Sequence, residues 1–150
     1  MVLNLQLPDN YPLALLSASV VPFVANIMMG VPVMQARKAF DVRYPNLYAV
    51  PGTHKDADAF NRVQRGHQNT LESMPNMIAM TLVGGIGYPL VASASMLIWW
   101  VGSFLYLKGY ADTKLDVKTA RYQKGGGIKW LGVLGLLVSS VATCYQLYTK

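Results

Sequence analysis

Charge is missing from long stretches of this chain and crowded into two short ones. That blockwise pattern restricts the fold more than any single motif does. Of the 13 Lys and Arg residues, Arg37, Lys38, Arg43, Lys55, Arg62 and Arg65 follow the first apolar run. Lys108, Lys114, Lys118, Arg121, Lys124 and Lys129 precede the last one, and only Lys150 lies elsewhere. Spans at about 11–34, 61–87, 90–110 and 128–148, the second apolar only from Met74 onward, can each cross a ~30 Å hydrocarbon layer as a helix rising ~1.5 Å per residue. Only 13% of the residues are charged, against about 25% in an average soluble domain. The expected fold is therefore all-α, an integral membrane four-helix bundle made by one domain over residues 1–150.

Four spans put loops 35–60 and 111–127 on one side of the membrane. The positive-inside bias makes that side cytosolic. The opening M-V-L-N-L-Q-L-P-D-N has no basic segment before the first apolar run, so that run reads as a retained anchor rather than a cleaved signal. Cys144, alone in an apolar run, permits no internal disulfide and reads as an inert buried thiol. A basic balance divided between two membrane-flanking loops does not suit nucleic acid.

Local features carry their own expectations. Asn26, mid-span, is expected to hydrogen-bond a neighbouring helix. Asp56 and Asp58 suit the positive end of a helix starting near Asp58. Gly84, Gly85, Gly87 and Pro89 read as a tight turn. Gly132 and Gly135 allow close helix contact. Tyr106 and Tyr110, spaced i,i+4, share a face, and with Trp99 and Trp100 they suit an interfacial aromatic belt.

The chemistry concentrates in F-N-R-V-Q-R-G-H-Q-N-T-L-E-S-M-P (60–75), where polar side chains run directly into an apolar span. On a helix, Arg62, Arg65, Asn69, Glu72 and Asn76 form one stripe. Arg65 and Glu72 are two turns apart, outside the i,i+4 spacing of an ordinary helical ion pair, so each is expected to find a partner elsewhere. An ionisable group at membrane depth is costly and points to function, with interhelical polar glue as the plain alternative. Cations, a carboxylate, an amide and two phenols suit a small zwitterionic, net-anionic ligand. Arg65 would take carboxylates and Glu72 an ammonium group. A peptide such as glutathione fits that inventory, and a cation beside its sulfur would favour the thiolate. His54, His67 and Cys144 lack metal-ligand spacing, and no nucleophile motif is present.

Three motifs, A-R-K-A-F-D-V-R-Y-P-N-L-Y (36–48), F-N-R-V-Q-R-G-H-Q-N-T-L-E (60–72) and F-L-Y-L-K-G-Y (104–110), resemble the MAPEG family of membrane glutathione enzymes, in its type 3 microsomal branch. The resemblance covers nearly the whole chain. It implies a homotrimer of four-helix subunits in the membrane lipid, with glutathione as co-substrate between neighbouring protomers near the cytosolic face. Carried over by position, Arg65, Asn69 and Glu72 are glutathione-binding, as are Tyr106 and Tyr110. His67 stands where relatives carry a glutamine contact. Arg37 and Lys38 match a basic pair whose second member stabilises the thiolate. A further arginine preceding the fourth span has Lys118 or Arg121 as its candidates. The family usually supplies a tyrosine just after Glu72, where this chain has Ser73 and Met74.

The activity implied is that of a glutathione S-transferase that also reduces lipid hydroperoxides, acting on a lipophilic electrophile or hydroperoxide without a metal. The endoplasmic reticulum is the expected membrane, with the outer mitochondrial membrane as the alternative. The competing reading is a non-catalytic lipid-binding or structural subunit of a larger membrane complex.

Overall fold

A computed structural model describes residues 7–149 and is helical throughout its ordered elements. The reading of the first residues as a retained anchor rests partly on 1–6, which lie outside the described residues. Four long helices, α1 (Tyr11–Ala39), α2 (Ala57–Gly87), α3 (Pro89–Tyr110) and α5 (Lys129–Tyr148), form the bundle. A one-turn helix, α4 (Ala120–Gln123), and a 3-10 turn at Gly126–Ile128 lie between α3 and α5.

Helix α1 runs unbroken through Pro22 and Pro32 and continues past 34 to Ala39. Arg37 and Lys38 therefore occupy its last turn rather than the loop, where cations suit the negative end of the helix dipole. Helix α2 begins as expected for its acidic lead. The Asp56 side chain accepts from the Ala59 N–H at 3.3 Å, with Asp58 in the first turn.

Three helices are apolar and long enough to cross a membrane unaided: Tyr11–Ala39, Pro89–Tyr110 and, counting the 3-10 turn, Gly126–Tyr148. The polar first half of α2 keeps it out of that set, but its packing takes it over the same distance. Ala36 and Phe60 share one apolar cluster, His67 meets Asn26 at 3.2 Å, and Gly85 abuts Ala14. Helix α2 thus lies antiparallel along nearly the whole of α1. The expected interhelical hydrogen bond of Asn26 is the one to His67.

The glycines near the end of α2 meet expectation only in part. Helix α2 continues through Gly84, Gly85 and Gly87, and only Tyr88 separates it from α3. The tight turn is therefore confined to Gly87–Tyr88–Pro89, and all three glycines are also packing sites. A side chain at Gly84 would meet Ser139 Oγ at 2.5 Å, one at Gly87 would meet Thr143 Oγ1 at 2.6 Å, and one at Gly85 would collide with Ala14. Polar bonds reinforce the approach: Ser140 Oγ donates to the Met80 carbonyl at 2.8 Å and Thr143 Oγ1 to the Gly84 carbonyl at 3.3 Å. Small residues bring helices close where lipid supplies no hydrophobic drive between them.

The mid-membrane core is Met77, Ala92, Met96, Trp99 and Leu136. Trp99 is fully buried there, so it belongs to the core and not to an interfacial belt. Gly132 permits this, because α5 lies against the Trp99 backbone at that point. Cys144 is exposed, not buried. Thr143 takes the α2-facing position, and one residue on (about 100° round the helix) Cys144 faces outward.

Candidate functional site

The polar stripe of α2 divides into parts with different partners. Arg62 is a staple: it pairs with Asp58 at 2.8 Å and donates to the carbonyls of Asp112 and Leu115 at 3.3 and 3.1 Å. This ties the segment after α3 down onto α2. Lys124 Nζ donates to Asp112 at 2.8 Å, and that hydrogen bond holds the Asp112 carboxyl below its usual range. With a depressed pKa, the tie persists until the pH falls through that lowered value.

Arg65 and Glu72 find each other. Arg65 Nη1 lies 2.7 Å from Glu72 Oε1, with side chains 44% and 48% exposed. This corrects the expectation that two turns was too far. Seven residues nearly complete two turns, so both side chains share one azimuth, and the long guanidinium arm spans the rise between them. Glu72 lies roughly 22 Å along α2 from its end at Gly87 at ~1.5 Å per residue, a shorter distance than the ~30 Å of a hydrocarbon layer. The pair faces outward from the bundle.

About one turn along the helix from Arg65 and from Glu72, and roughly 40–60° round it, Asn69 faces inward. Lys129 Nζ donates to Asn69 Oδ1 at 2.7 Å. Lys129 Nζ also sits 4.3 Å from the centre of the Tyr106 ring. With Arg121, Ser73 and Trp130 these residues line a cavity of about 280 Å³, closed toward the membrane centre by Met77, Trp99 and Val133. The Arg121 guanidinium is held in its charged form by the neighbouring Tyr106 phenol, which raises its pKa further.

A second cleft, of about 350 Å³, lies on the other side of the stripe and is lined by Tyr48, Asn61, Arg65 and Tyr110 among others. Tyr48 is brought there by the loop after α1. The Tyr48 hydroxyl donates to Gln68 Oε1, and the Asn61 amide brackets the backbone of Ala49 at 2.8 and 3.0 Å. Tyr106 and Tyr110 share a face as expected, with ring centres 6.0 Å apart. Tyr106 is buried and belongs to the inner cavity, while Tyr110 belongs to the outer cleft.

The remaining candidates stand apart from both. Arg37 is engaged by its own loop, donating to the carbonyls of Val42 and Asn46 at 3.2 and 2.9 Å beneath the ring of Tyr44. Lys38 is exposed at the end of α1 and lines neither cavity. Lys118 is exposed as well. His67 is half-buried against Asn26. Of the two candidates before the fourth span, Arg121 is the one at the inner cavity.

Sequence reasoning counted Lys129 among the loop lysines and did not single it out. Its signal was present: it is the last charge before an unbroken apolar run, on the first turn of the helix that packs against α2. Tyr48 was likewise quoted in a motif without a role.

The architecture and the motifs agree with a comparison against family models, in which the MAPEG family matches residues 15–142. The match takes in α2 and α3 whole, most of α1 and α5, and every residue lining the two cavities, and on it the chain belongs to the MAPEG family.

Proposed function

We propose that the protein is a membrane glutathione S-transferase with glutathione-dependent lipid peroxidase activity. The observation that carries this reading is the meeting of Asn69, Tyr106 and Arg121 around one cavity, directly behind the Arg65–Glu72 pair and beside the Arg65–Tyr110 cleft. Arg65 would take a carboxylate of glutathione and Glu72 its ammonium group, exchanging their mutual ion pair for two to the ligand. The thiol would lose its proton to solvent. The thiolate would then attack an electrophilic carbon, expelling the leaving group with its electron pair. With a hydroperoxide it would attack the terminal oxygen, giving an alcohol and a sulfenic acid that a second glutathione converts to disulfide and water.

A homotrimer belongs to the same proposal. The exposed Arg65–Glu72 pair at membrane depth calls for a polar covering that lipid cannot supply, and a neighbouring copy would supply it. Lys38, and Arg37 beside it, would then reach the thiol only across a subunit boundary. The test is a glutathione titration of detergent-purified protein, reading thiolate absorbance. Thiolate at a pH below that of free glutathione is the expected result. Its absence would favour the scaffold reading.

The two basic loops are proposed to be cytosolic, in the endoplasmic reticulum or outer mitochondrial membrane. The expectation is that a cysteine placed at Lys55, in a Cys144→Ser background, reacts with an impermeant thiol reagent only from the cytosolic side of sealed vesicles. Labelling from the lumenal side would reverse the topology.

A further inference from the structure

Lys129 is the one buried cation among the described residues. Its residue is 5% exposed. The four ion pairs among the described residues do not include it. Its backbone cannot withdraw, because α3 passes so close that only a glycine, Gly102, fits against it. A buried ammonium without a counter-charge is unfavourable unless something neutralises it. One amide oxygen and the face of a tyrosine ring compensate only part of that cost.

The same cavity is short of acceptors elsewhere. Arg121 adds a second cation to its wall. Trp99 Nε1 and Arg121 Nε are both buried and find no acceptor among the described residues. Asn69, whose oxygen already accepts from Lys129, has both of its amide N–H groups without an acceptor among the described residues. The cavity therefore presents two positive charges and several unused donors, and no carboxylate lines it.

We propose that this inner cavity is an anion site whose cation is Lys129, and that, resting on the function proposed above, the anion is the glutathione thiolate. Arg65 and Glu72 would hold the peptide on the outer face of α2, while its sulfur reaches inward past Asn69 to Lys129. The cation for the sulfur then comes from the same protomer as Asn69, one helix away from the exposed Lys38.

Two probes separate this from the functional reading. Trp99 lines the cavity and Trp130 lies 5.4 Å from Lys129 Nζ, so inorganic iodide entering it should quench tryptophan fluorescence saturably. In detergent-purified protein, Lys129→Gln, which keeps a donor for Asn69 but removes the charge, should raise the half-saturating iodide concentration roughly tenfold or more. Lys129→Arg should stay near wild type. Quenching by neutral acrylamide should be the same in all three, showing that access and fold are kept. Linear, unsaturable iodide quenching in wild type, or a Lys129→Gln protein that behaves like wild type, overturns the proposal.

The second probe is glutathione beside S-methylglutathione, whose sulfur cannot ionise. Lys129→Gln should move the thiolate midpoint up by about 1–3 pH units and leave S-methylglutathione affinity unchanged. Equal loss of affinity for both peptides would overturn the sulfur assignment, leaving Lys129 as a holder of Asn69. A saturable iodide site in a protein that binds neither peptide would overturn the glutathione reading while the anion site stands.

Discussion

Arg65→Ala is expected to weaken glutathione binding by roughly 30-fold or more. The size of the loss reports on how the Arg65–Glu72 pair is covered. An ion pair in free contact with water contributes about 0–1 kcal/mol, so a loss under about fivefold would mean the pair stays solvated. Removing one partner of a desolvated, hydrogen-bonded pair costs about 2–5 kcal/mol, and each 1.4 kcal/mol is tenfold. The two side chains are nearly half exposed in the single chain, so the larger effect requires a covering over them such as the proposed neighbouring subunit. Glu72→Gln should behave similarly. The double variant then decides what the pair is for. If it is polar glue within α2, the second substitution adds almost nothing once the first has been made. If each group holds a different end of the peptide, the two losses approach their sum. Affinity must be read beside the mass of the detergent-extracted assembly, because a protein that has fallen apart reports nothing about the ligand.

The parts of the fold that could be read from the sequence were set by one-dimensional patterns. Helix α2 began where Asp56 and Asp58 favour a helix start, and α3 and α5 occupied the apolar runs almost to the residue. The misreadings came from information that one strand of sequence does not carry. Gly84 and Gly85 look like part of the turn to any local rule, yet they lie inside α2 and each is a contact whose partner is on α5 or α1. Trp99 and Trp100 adjoin in sequence, and only Trp99 proved to be core. The azimuth of Trp99 is fixed by α5 crossing at Gly132, which no spacing within α3 reveals.

The candidate site divides in the same way. The α2 stripe was legible because a helical period places Arg65, Asn69 and Glu72 on related azimuths. What could not be read was which members look outward and which inward. Nor was it visible that Lys129, sixty residues after Asn69, would be the donor that meets it. A charge at the start of an apolar run is ordinarily an interfacial anchor reaching for headgroups. Here α3 and α4 close over it, and the same residue becomes the wall of a cavity.

That closure makes Gly102 the position where a single methyl group should do most damage. A Cβ at Gly102 would meet Lys129 Cα at 2.5 Å and Lys129 Cβ at 2.7 Å, and would come closer still to the Lys129 backbone nitrogen. These are main-chain or first side-chain atoms and cannot swing aside, so α3 and α5 must separate. Gly102→Ala is expected to cost about 1–3 kcal/mol of stability, the range for overpacking a tight interior. The loss would be seen as a lower midpoint for heat-induced loss of monodisperse protein in detergent. The damage should also reach the site, because moving the start of α5 pulls Lys129 away from Asn69. Saturable iodide quenching should weaken along with the stability. Gly127→Ala is the matched control on the same segment: its added Cβ would have nothing nearer than Tyr122 Cδ1 at 3.9 Å, and it should change neither property. If Gly102→Ala keeps the wild-type midpoint, α3 and α5 are not locked at this crossing, and Lys129 has room to leave the cavity.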